Sequence, residues 1–412
     1  SWSLEDIRKR WFSAVRLYAP LYKEGNFHVL VGDGVKQSKE GRRMPGVKKL
    51  FQESENSAKP EYMHGHMFGG LGILAGNFRS WACIPLSIRL HDGLQAAREW
   101  KGASVSTASH VVQMVEDSYH AALTFGDSLL LLDRYFLTVP ALEKLRELNN
   151  SGKVHMEIVT KAKKSCTAFQ KPGPRKPGRG RPPKKGDAVH LKGLFASHKE
   201  QFMETETELY GKKKTIRYYS IDLLWGQKLY QELRFVLVEM DGIQSILAST
   251  SLALDPLSII RLYSYRFRIE CTFRELKQQT GAFCYHFWSK HMPKLSYYQK
   301  KGEPTPLERV EDERSRKKIL KTVRAIEVHM ELSCIAMGIL QTLSIRFIGK
   351  VCSSQIRYQR TPSKGRVSEA ALMHYFRKHF FRLLEQKPKS YITQIIHELQ
   401  EESEKHWDFL AS

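Results

Sequence analysis

The sequence is short of acidic residues, short of cysteine and without a long apolar run. Its 412 residues include 43 Asp and Glu against 66 Lys and Arg, a formal net charge of +23, yet 42% of the residues are hydrophobic. A chain this basic that can still bury a core indicates a folded protein with a polyanionic partner, and not a disordered tail or an ordinary metabolic enzyme. The length corresponds to two to four domains of roughly 100–200 residues each.

The cysteines include no Cys-x-x-Cys pair, which argues against a zinc ribbon and against a disulfide framework. We therefore expect a reducing compartment, the cytoplasm. The six cysteines are Cys83, Cys166, Cys271, Cys284, Cys334 and Cys352.

The longest nearly apolar segment, residues 332–345, spans 14 residues and contains Ser, Gln and Thr. Because a membrane helix needs about 20 apolar residues, this segment predicts a buried helix and no membrane crossing. The N-terminus is charged and amphipathic, with neither a signal core nor an initiator Met. We expect further sequence upstream, with residues 1–24 forming a helix that ends an upstream domain.

Two aspartates follow buried-strand patterns. The run 27–31 leads into Gly-Asp-Gly, which predicts a strand that ends in a turn with Asp33 at its carboxyl end. The run 128–132 predicts a second buried strand that ends at Asp133. Asp127, at the start of that strand, is the alternative to Asp133. We prefer Asp133, because sites form at the carboxyl ends of strands in α/β sheets.

The order of patterns predicts an α/β fold with a mixed sheet. A strand and a hairpin come first, and strands then alternate with helices. Later residues are β-rich and the last part is helical, with helices expected over 314–351, 367–385 and 391–406. The predicted domains are 25–160 and 253–350 as two parts of one catalytic core, 161–252 as a basic linker and β-rich insertion, and 351–412 as a C-terminal helical region.

A basic segment separates the two parts of the core. Residues 161–186 contain ten Lys and Arg, five prolines and no acidic residue, so no core is expected there. Residues 176–185 resemble an AT-hook, in which arginines on a Gly/Pro backbone enter a narrow minor groove. The alternative is an extended linker whose charges keep it soluble. The expected DNA contacts are Lys176, Arg179, Arg181, Lys184 and Lys185.

A predicted helix from Asp255 to Gly281 carries an unusual stripe. At 100° per residue its four members lie within about 60° of one another. They are Tyr263, Arg266, Glu270 and Lys277. A solvated charged face is the alternative interpretation. Chemistry on a phosphodiester needs divalent cations held by a few carboxylates, and Asp33, Asp133 and Glu270 form such a set, although each alone would be a turn, cap or surface acid.

The stripe has the spacing Tyr-x2-Arg-x3-Glu-x6-Lys. It resembles the YREK signature of bacterial insertion-sequence DDE transposases, in which a ribonuclease-H-like core is interrupted by a β-insertion. The resemblance covers residues 25–350. It implies that Asp33, Asp133 and Glu270 are the catalytic residues and hold two Mg²⁺ or Mn²⁺ ions. It also implies phosphate contacts from Tyr263, Arg266, Lys277 and Arg134, the last in a family-like Arg-Tyr-Phe run after Asp133.

The resemblance implies cut-and-paste DNA transposition, with hydrolytic nicking at the ends of an element followed by attack of the freed 3′-hydroxyl. The partners would be double-stranded DNA, as transposon ends and target, and a second copy of the chain on paired ends. The protein would be cytoplasmic and nucleoid-associated when bound to DNA, with no membrane partner. Two other hypotheses are a catalytically silent DNA-binding descendant of such an enzyme and a stand-alone metal-dependent nuclease.

For four further side chains we prefer a less specific role over metal binding or base stacking. His64 and His66 point to one face of a predicted strand, where a structural or DNA-contacting role is favoured over a transition-metal site. Trp225 and Trp288 could stack on an unpaired base, but a buried core position is the default expectation for each.

Overall fold

The computed structural model describes residues 3–52, 60–77, 80–100, 109–174, 182–298, 303–346 and 367–386. Residues 1–346 form one compact unit and residues 347–412 a second. In the second unit the structure describes one helix, α9 (Glu369–Glu385), whose first turn is capped by the Ser368 hydroxyl. The helix predicted over 391–406 lies outside the described residues.

The first unit contains a large sheet flanked by helices. Its strands are β1 (Lys23–Glu24), β2 (Phe27–Ser38), β3 (Lys48–Phe51), β4 (Tyr62–Asn77), β5 (Ser80–Leu90), β6 (Ser128–Leu131), β7 (Met156–Ala162), β8 (Thr167–Phe169), β9 (Ala188–His190), β10 (Met203–Leu209), β11 (Lys212–Trp225), β12 (Gln231–Met240) and β13 (Ile243–Ser249). Its α-helices are α1 (Leu4–Tyr18), α2 (Gln95–Glu99), α3 (His110–Phe125), α4 (Val139–Asn150), α5 (Leu194–Ser197), α6 (Pro256–Tyr265), α7 (Arg268–Glu275) and α8 (Glu313–Arg346). Short 3₁₀ turns cover Arg134–Phe136, Leu191–Gly193 and Lys199–Gln201, and a π-helical turn covers Leu276–Thr280.

The sheet is mixed, as the sequence predicts, and is consistent with a ribonuclease-H-like core. The strand order is β3-β4-β2-β6-β7-β13-β12-β11-β8-β9, with β5 paired to β4, β1 to β2 and β10 to β11. β2, β6 and β7 are parallel, and the other recorded pairs are antiparallel. The hairpin predicted beside the first strand is confirmed as β4 and β5.

Hydrophobic cores lie on both faces of the parallel strands, which explains their continuous apolar sequences. Because side chains alternate along β2, Val29 and Val31 pack with α6, α7 and α8, whereas Leu30 packs with α1, α3 and α4. All three side chains are fully buried. Packing on both faces of the sheet therefore fixes the positions of β2 and β6.

The β-rich insertion extends the core sheet. β13 pairs with β7 from Ile246↔Ala162 to Ser249↔Val159, so the strands of the insertion continue the ladder. The expectation that no core forms over residues 161–186 is wrong, because Ala162 and Ala168 are buried in β7 and β8. Small apolar residues between the lysines allow these short strands to join the sheet despite the surrounding charge.

The helix predicted from Asp255 to Gly281 is interrupted. Asp255 caps α6 by accepting hydrogen bonds from the amides of the next turn, and Gly281 ends the segment with a left-handed φ of 63°. Between them, Arg266 and Phe267 form a turn that separates α6 from α7. The predicted stripe is therefore broken between its first and second halves.

α8 is the one helix in the described ranges that is long and apolar enough to cross a membrane by length and composition. Its buried side includes Met330, Cys334 and Met337, all fully buried in the core. Gly338 allows close packing, since a Cβ there would lie 2.2 Å from the Trp11 ring and 3.2 Å from Ile84. The buried helix predicted over residues 332–345 is confirmed.

A buried ion pair joins α1 to α8. Glu331 is inaccessible to solvent, and its Oε2 accepts hydrogen bonds from Arg8 Nη2 at 3.0 Å and Nε at 3.2 Å. Burial raises the pKa of Glu331 to about 7 although Arg8 opposes this shift. An unpaired carboxylate at this position would be costly.

We expect Arg8→Met to lower the free energy of unfolding by about 3–5 kcal/mol, because it leaves Glu331 buried without a partner. The double variant Arg8→Met, Glu331→Met should recover most of that loss. Lys9→Met, on the exposed side of the same helix, should change stability by less than about 0.5 kcal/mol. Urea unfolding measures all three, and a double variant as unstable as Arg8→Met would contradict the interpretation.

Candidate active site

The two aspartates lie where the parallel ladder of the sheet ends. The pairing of β2 with β6 stops at Val31↔Leu131, and Asp133 follows two residues later, as predicted. Asp33 lies inside β2 and not at its end, because the strand continues to Ser38 through antiparallel pairing with β4. Both aspartates line one cavity of about 380 Å³.

Arg266 joins Asp33 to Glu270. Its Nη1 donates to Asp33 Oδ2 at 3.0 Å, and its Nη2 donates to Glu270 Oε1 at 2.5 Å. The other Asp33 oxygen accepts the Gly34 amide at 2.8 Å. The side chain of Arg266 is only 14% exposed, whereas that of Glu270 is 54% exposed. The structure therefore gathers two carboxylates from distant parts of the sequence around one guanidinium.

The electrostatics show that Asp133 and Tyr263 belong to the same cluster. Burial raises the pKa of Asp33 to about 6, the Arg266 guanidinium and the Gly34 amide oppose the shift, and the charges of Asp133 and Glu270 add to it. Burial also raises the pKa of Tyr263, which Arg266 lowers and Asp133 raises. Asp33, Asp133, Tyr263, Arg266 and Glu270 thus lie within electrostatic range of one another.

The remaining predicted residues lie in the turns that follow α7 and β6. Lys277 lies in the π-helical turn, exposed, with its Nζ 5.3 Å from the centroid of the Phe283 ring. Arg134 is exposed in the 3₁₀ turn that begins directly after Asp133. The π-helical turn departs from the 3.6-residue period on which the predicted position of Lys277 relative to Glu270 depends.

The donors of the cluster fit a hard divalent cation in kind, because all are carboxylate oxygens. Among the described residues no group of three His, Cys, Asp or Glu side chains is arranged to hold a metal ion. The reason is visible in the contacts: Arg266 occupies one oxygen each of Asp33 and Glu270. A cation at either carboxylate would compete with the guanidinium for these oxygens.

Basic residues that the sequence did not single out line the cavity. Lys36, Lys48 and Lys49 border it together with Phe51. Lys36 Nζ donates to the Phe51 carbonyl at 2.7 Å, and Lys49 Nζ lies 4.3 Å from the centroid of the Tyr62 ring. We name Lys36, Lys48, Lys49, Phe51 and Tyr62 the basic rim. The available signal was the lysine pair at 48–49, followed directly by Leu50 and Phe51.

Two further residues approach the cluster from the insertion side. Lys161, in β7, is half-buried; burial lowers its pKa and Asp133 raises it. Tyr210 occupies the β10–β11 turn with a φ of 54°, next to Gly211 with a φ of 74°. Its ring lies 5.6 Å from that of Phe267, so the insertion brings a strained aromatic residue to the turn that carries Arg266.

The basic linker is partly folded onto the insertion. Lys176, Arg179 and Arg181 lie outside the described residues, and Lys184 is exposed. Lys185 Nζ lies 3.6 Å from the centroid of the Phe169 ring, and Lys171 Nζ pairs with Glu232 Oε1 at 2.6 Å. Two of the positive charges assigned to the linker therefore have partners within the protein.

The preferred interpretation holds for the histidines and for one tryptophan. His66 is buried and its Nε2 lies 2.8 Å from the Pro45 carbonyl oxygen, whereas the His64 ring lies 4.3 Å from that of Tyr297. Trp225 is half-buried and packs in the core of the insertion. The default expectation is wrong for Trp288, which is 63% exposed.

We expect the Asp33→Asn variant to gain stability relative to the wild type as pH rises from about 4 to 7. The folded protein holds the Asp33 proton more tightly than the unfolded chain, with a pKa of about 6 against 3.8. The wild type therefore loses up to about 3 kcal/mol across that window, and the variant has no such loss.

Urea unfolding in the presence of a chelator, repeated at several pH values, checks this slope. The loss of the Arg266 contact shifts the variant by a constant amount, so the slope and not the offset is diagnostic. A difference that stays flat from pH 4 to 7 would contradict the buried position of Asp33.

Comparison with known protein families matches part of the chain. Residues 102–290 match the family model described as Transposase DDE domain. The matched range contains Asp133, Tyr263, Arg266, Glu270 and Lys277 and does not reach Asp33. No curated protein and no solved structure matches the chain significantly.

Proposed function

We propose that this chain, whose residues 102–290 match the Transposase DDE domain family, is a DDE transposase that cuts and joins DNA at the ends of an insertion sequence by cut-and-paste transposition. The steps would be metal-dependent hydrolysis of a phosphodiester and attack of the freed 3′-hydroxyl on target DNA. A dimer on paired ends, in the cytoplasm and at the nucleoid, would carry out both.

One observation carries the proposal: the Arg266 guanidinium bridges Asp33 and Glu270 beside Asp133. Asp33 of β2 and Glu270 of α7 contact one guanidinium, and Asp133, two residues after β6, lies within electrostatic range of them. The end of a parallel ladder is a place where sites form in such sheets. A protein selected only to bind DNA has no need to collect acids within a basic chain. The cluster therefore favours an active enzyme over a silent descendant.

The roles follow from the chemistry of each side chain. Asp33, Asp133 and Glu270 would hold one or two Mg²⁺ or Mn²⁺ ions, which polarise the phosphodiester and favour ionisation of the attacking hydroxyl. Arg266 offers a fixed fork of donors that suits either a carboxylate or a phosphate. A DNA phosphate would draw Arg266 away from Glu270 and so release that carboxylate for the cation.

The DNA is proposed to lie along the basic rim and across the cluster. Lys36 and Lys49 supply point charges, whereas Lys48 is paired with Asp92. Phe51 and Tyr62, 47% and 45% exposed, supply stacking surfaces. Phosphate contacts from Tyr263, Arg134 and Lys277 would continue the track, with the basic linker as an additional contact. Such contacts position the duplex and carry little sequence information.

We expect Asp33→Ala, Asp133→Ala and Glu270→Ala each to slow Mg²⁺-dependent nicking by about 10³-fold or more, because each removes several kcal/mol of transition-state stabilisation. DNA affinity should be nearly unchanged. Asp127→Ala is the matched control. Asp127 directly precedes β6, at the end of the strand opposite Asp133, and its side chain accepts a hydrogen bond from the His155 amide there. Gel assays on an end-bearing duplex measure nicking and binding.

Normal nicking by any of the three variants would overturn the assignment of that residue. Strand-transfer products from a pre-nicked duplex distinguish a transposase from a stand-alone nuclease, which would nick without joining. Wild-type protein that binds DNA but neither nicks nor joins it with Mg²⁺ or Mn²⁺ would identify a silent descendant.

We expect the double variant Lys36→Ala, Lys49→Ala to bind DNA more weakly and with a shallower salt dependence. Each phosphate contact contributes about 0.9 to the slope of log Kobs against log salt, so the slope should flatten by up to about 1.8. Lys9→Ala, Lys317→Ala removes two exposed helical charges and is the control for net charge. Equal slopes for both double variants would contradict a DNA contact at the rim.

A further inference from the structure

A chain of three side chains leads from the protein interior to the cavity that Asp33 and Asp133 line. His91 Nε2 lies 2.9 Å from Asp117 Oδ2, and His91 Nδ1 lies 2.7 Å from His110 Nδ1. His110 lines the cavity. Its Nε2 is buried and has no hydrogen-bond partner among the described residues. The cluster thus ends in an orphaned polar atom at the candidate active site.

The position of that atom is set by the segments that follow the two aspartates. A Cβ on Gly34, the residue after Asp33, would lie 2.9 Å from His110 Nε2. On the other side, the His110 ring packs against Phe136, three residues after Asp133, with ring centroids 5.3 Å apart. His110 therefore fills the crevice between β2 and the turn after β6.

Hydrogen bonding determines which nitrogen carries a proton. Burial opposes ionisation of Asp117, but Arg89 and His91 prevail and its pKa is lowered, so its carboxylate accepts the N–H of His91 Nε2. The Nδ1 of a neutral His91 is then an acceptor, and the contact with His110 requires the proton on His110 Nδ1. His110 Nε2 is left with a lone pair.

The surroundings keep His110 neutral before reaction. Burial lowers the pKa of His110 to about 3, and the charge of Lys36 adds to that effect, whereas Asp92 and Asp117 oppose it. Arg89 faces Asp117 from β5 and forms an ion pair with it. Gly69 accommodates the His91 ring, since a Cβ there would come within 1.9 Å of it.

We propose that Asp117, His91 and His110 form a proton relay that takes up the proton of the attacking hydroxyl. This assignment rests on the proposed DNA-cleaving function and adds three residues to it. His110 would touch the nucleophile and is the catalytic member, whereas His91 and Asp117 act through it.

The reaction uses water and a solvent proton and needs no further reactant. The oxygen of the attacking water bonds to phosphorus as the bond from phosphorus to the 3′-oxygen breaks. The proton of the water passes to His110 Nε2, and the proton on His110 Nδ1 passes to His91 Nδ1. The positive charge then rests on His91 against the Asp117 carboxylate, and the leaving 3′-oxygen takes a proton from solvent. Transfer to His91 explains how a ring held neutral can serve as an acceptor.

The test is chemical rescue. We expect His110→Ala to nick an end-bearing duplex about 10²–10⁴-fold more slowly than the wild type, the usual contribution of a general base. Imidazole added to the solution should restore part of the rate, because it can occupy the space left by the ring. His110→Gln, of similar size, can accept a hydrogen bond but cannot take up the proton. It should therefore nick slowly while it binds DNA as tightly as the wild type.

His120→Ala is the matched control, because His120 lies on the same helix α3 and is exposed. It should nick at the wild-type rate. Asp117→Asn and His91→Phe should slow nicking without additivity to His110→Ala, since all three act in one path. Thermal unfolding and DNA affinity identify any variant that has lost its fold. If His110→Ala is such a variant, the nicking rate of His110→Gln is the test.

The outcomes separate the relay from the function on which it rests. If Asp133→Ala is inactive while His110→Ala and His110→Gln nick at the wild-type rate, the relay is wrong and the transposase proposal stands. A slow His110→Ala enzyme that imidazole does not restore also overturns the relay, leaving His110 a structural role. If wild-type protein does not nick DNA, the proposed function and the relay fail together.

Discussion

The mutual repulsion of carboxylates around the largely buried Asp33 is the constraint on which the candidate active site depends. Asp33 is largely buried, and the charges of Asp133 and Glu270 act on it. Without a nearby cation such a cluster would lose its charge or its position. Arg266 provides the cation by contacting Asp33 and Glu270 at once. The same contacts occupy one oxygen of each of these two carboxylates.

The architecture around this cluster can be understood as a means of delivering its members. Parallel pairing of β2 and β6 brings Asp33 and Asp133 to adjacent positions, and buried packing on both faces holds them there. The turn between α6 and α7 directs Arg266 back to β2. Because the insertion continues the sheet through β13, it can present Tyr210 to the same turn.

Much of the fold could be predicted because the relevant signals are local. The apolar runs at 27–31 and 128–132, the hairpin strands and the Asp255 cap depend on neighbouring residues, and each lies close to its predicted place. The extension of β2 past Asp33 and the strands within residues 161–186 depend on pairing with distant strands. No window of sequence contains that information.

The candidate site divides in a similar way. The spacing of Tyr263, Arg266, Glu270 and Lys277 predicted a common stripe, and three of the four lie together in the structure. Lys277 lies in a π-helical turn, which the 3.6-residue period cannot anticipate. Trp288 is exposed, because exposure depends on what packs over a residue and not on its type.

By itself, the sequence determined the chemical character of this protein: a basic chain with a core, two aspartates after buried strands, and a glutamate spaced from a tyrosine, an arginine and a lysine. These are properties of composition and local period. The tertiary structure decided which atoms meet, including Arg266 between Asp33 and Glu270, the basic rim beside them, and His110 behind them. Those contacts join residues up to 233 positions apart, and only folding brings such residues within hydrogen-bonding distance.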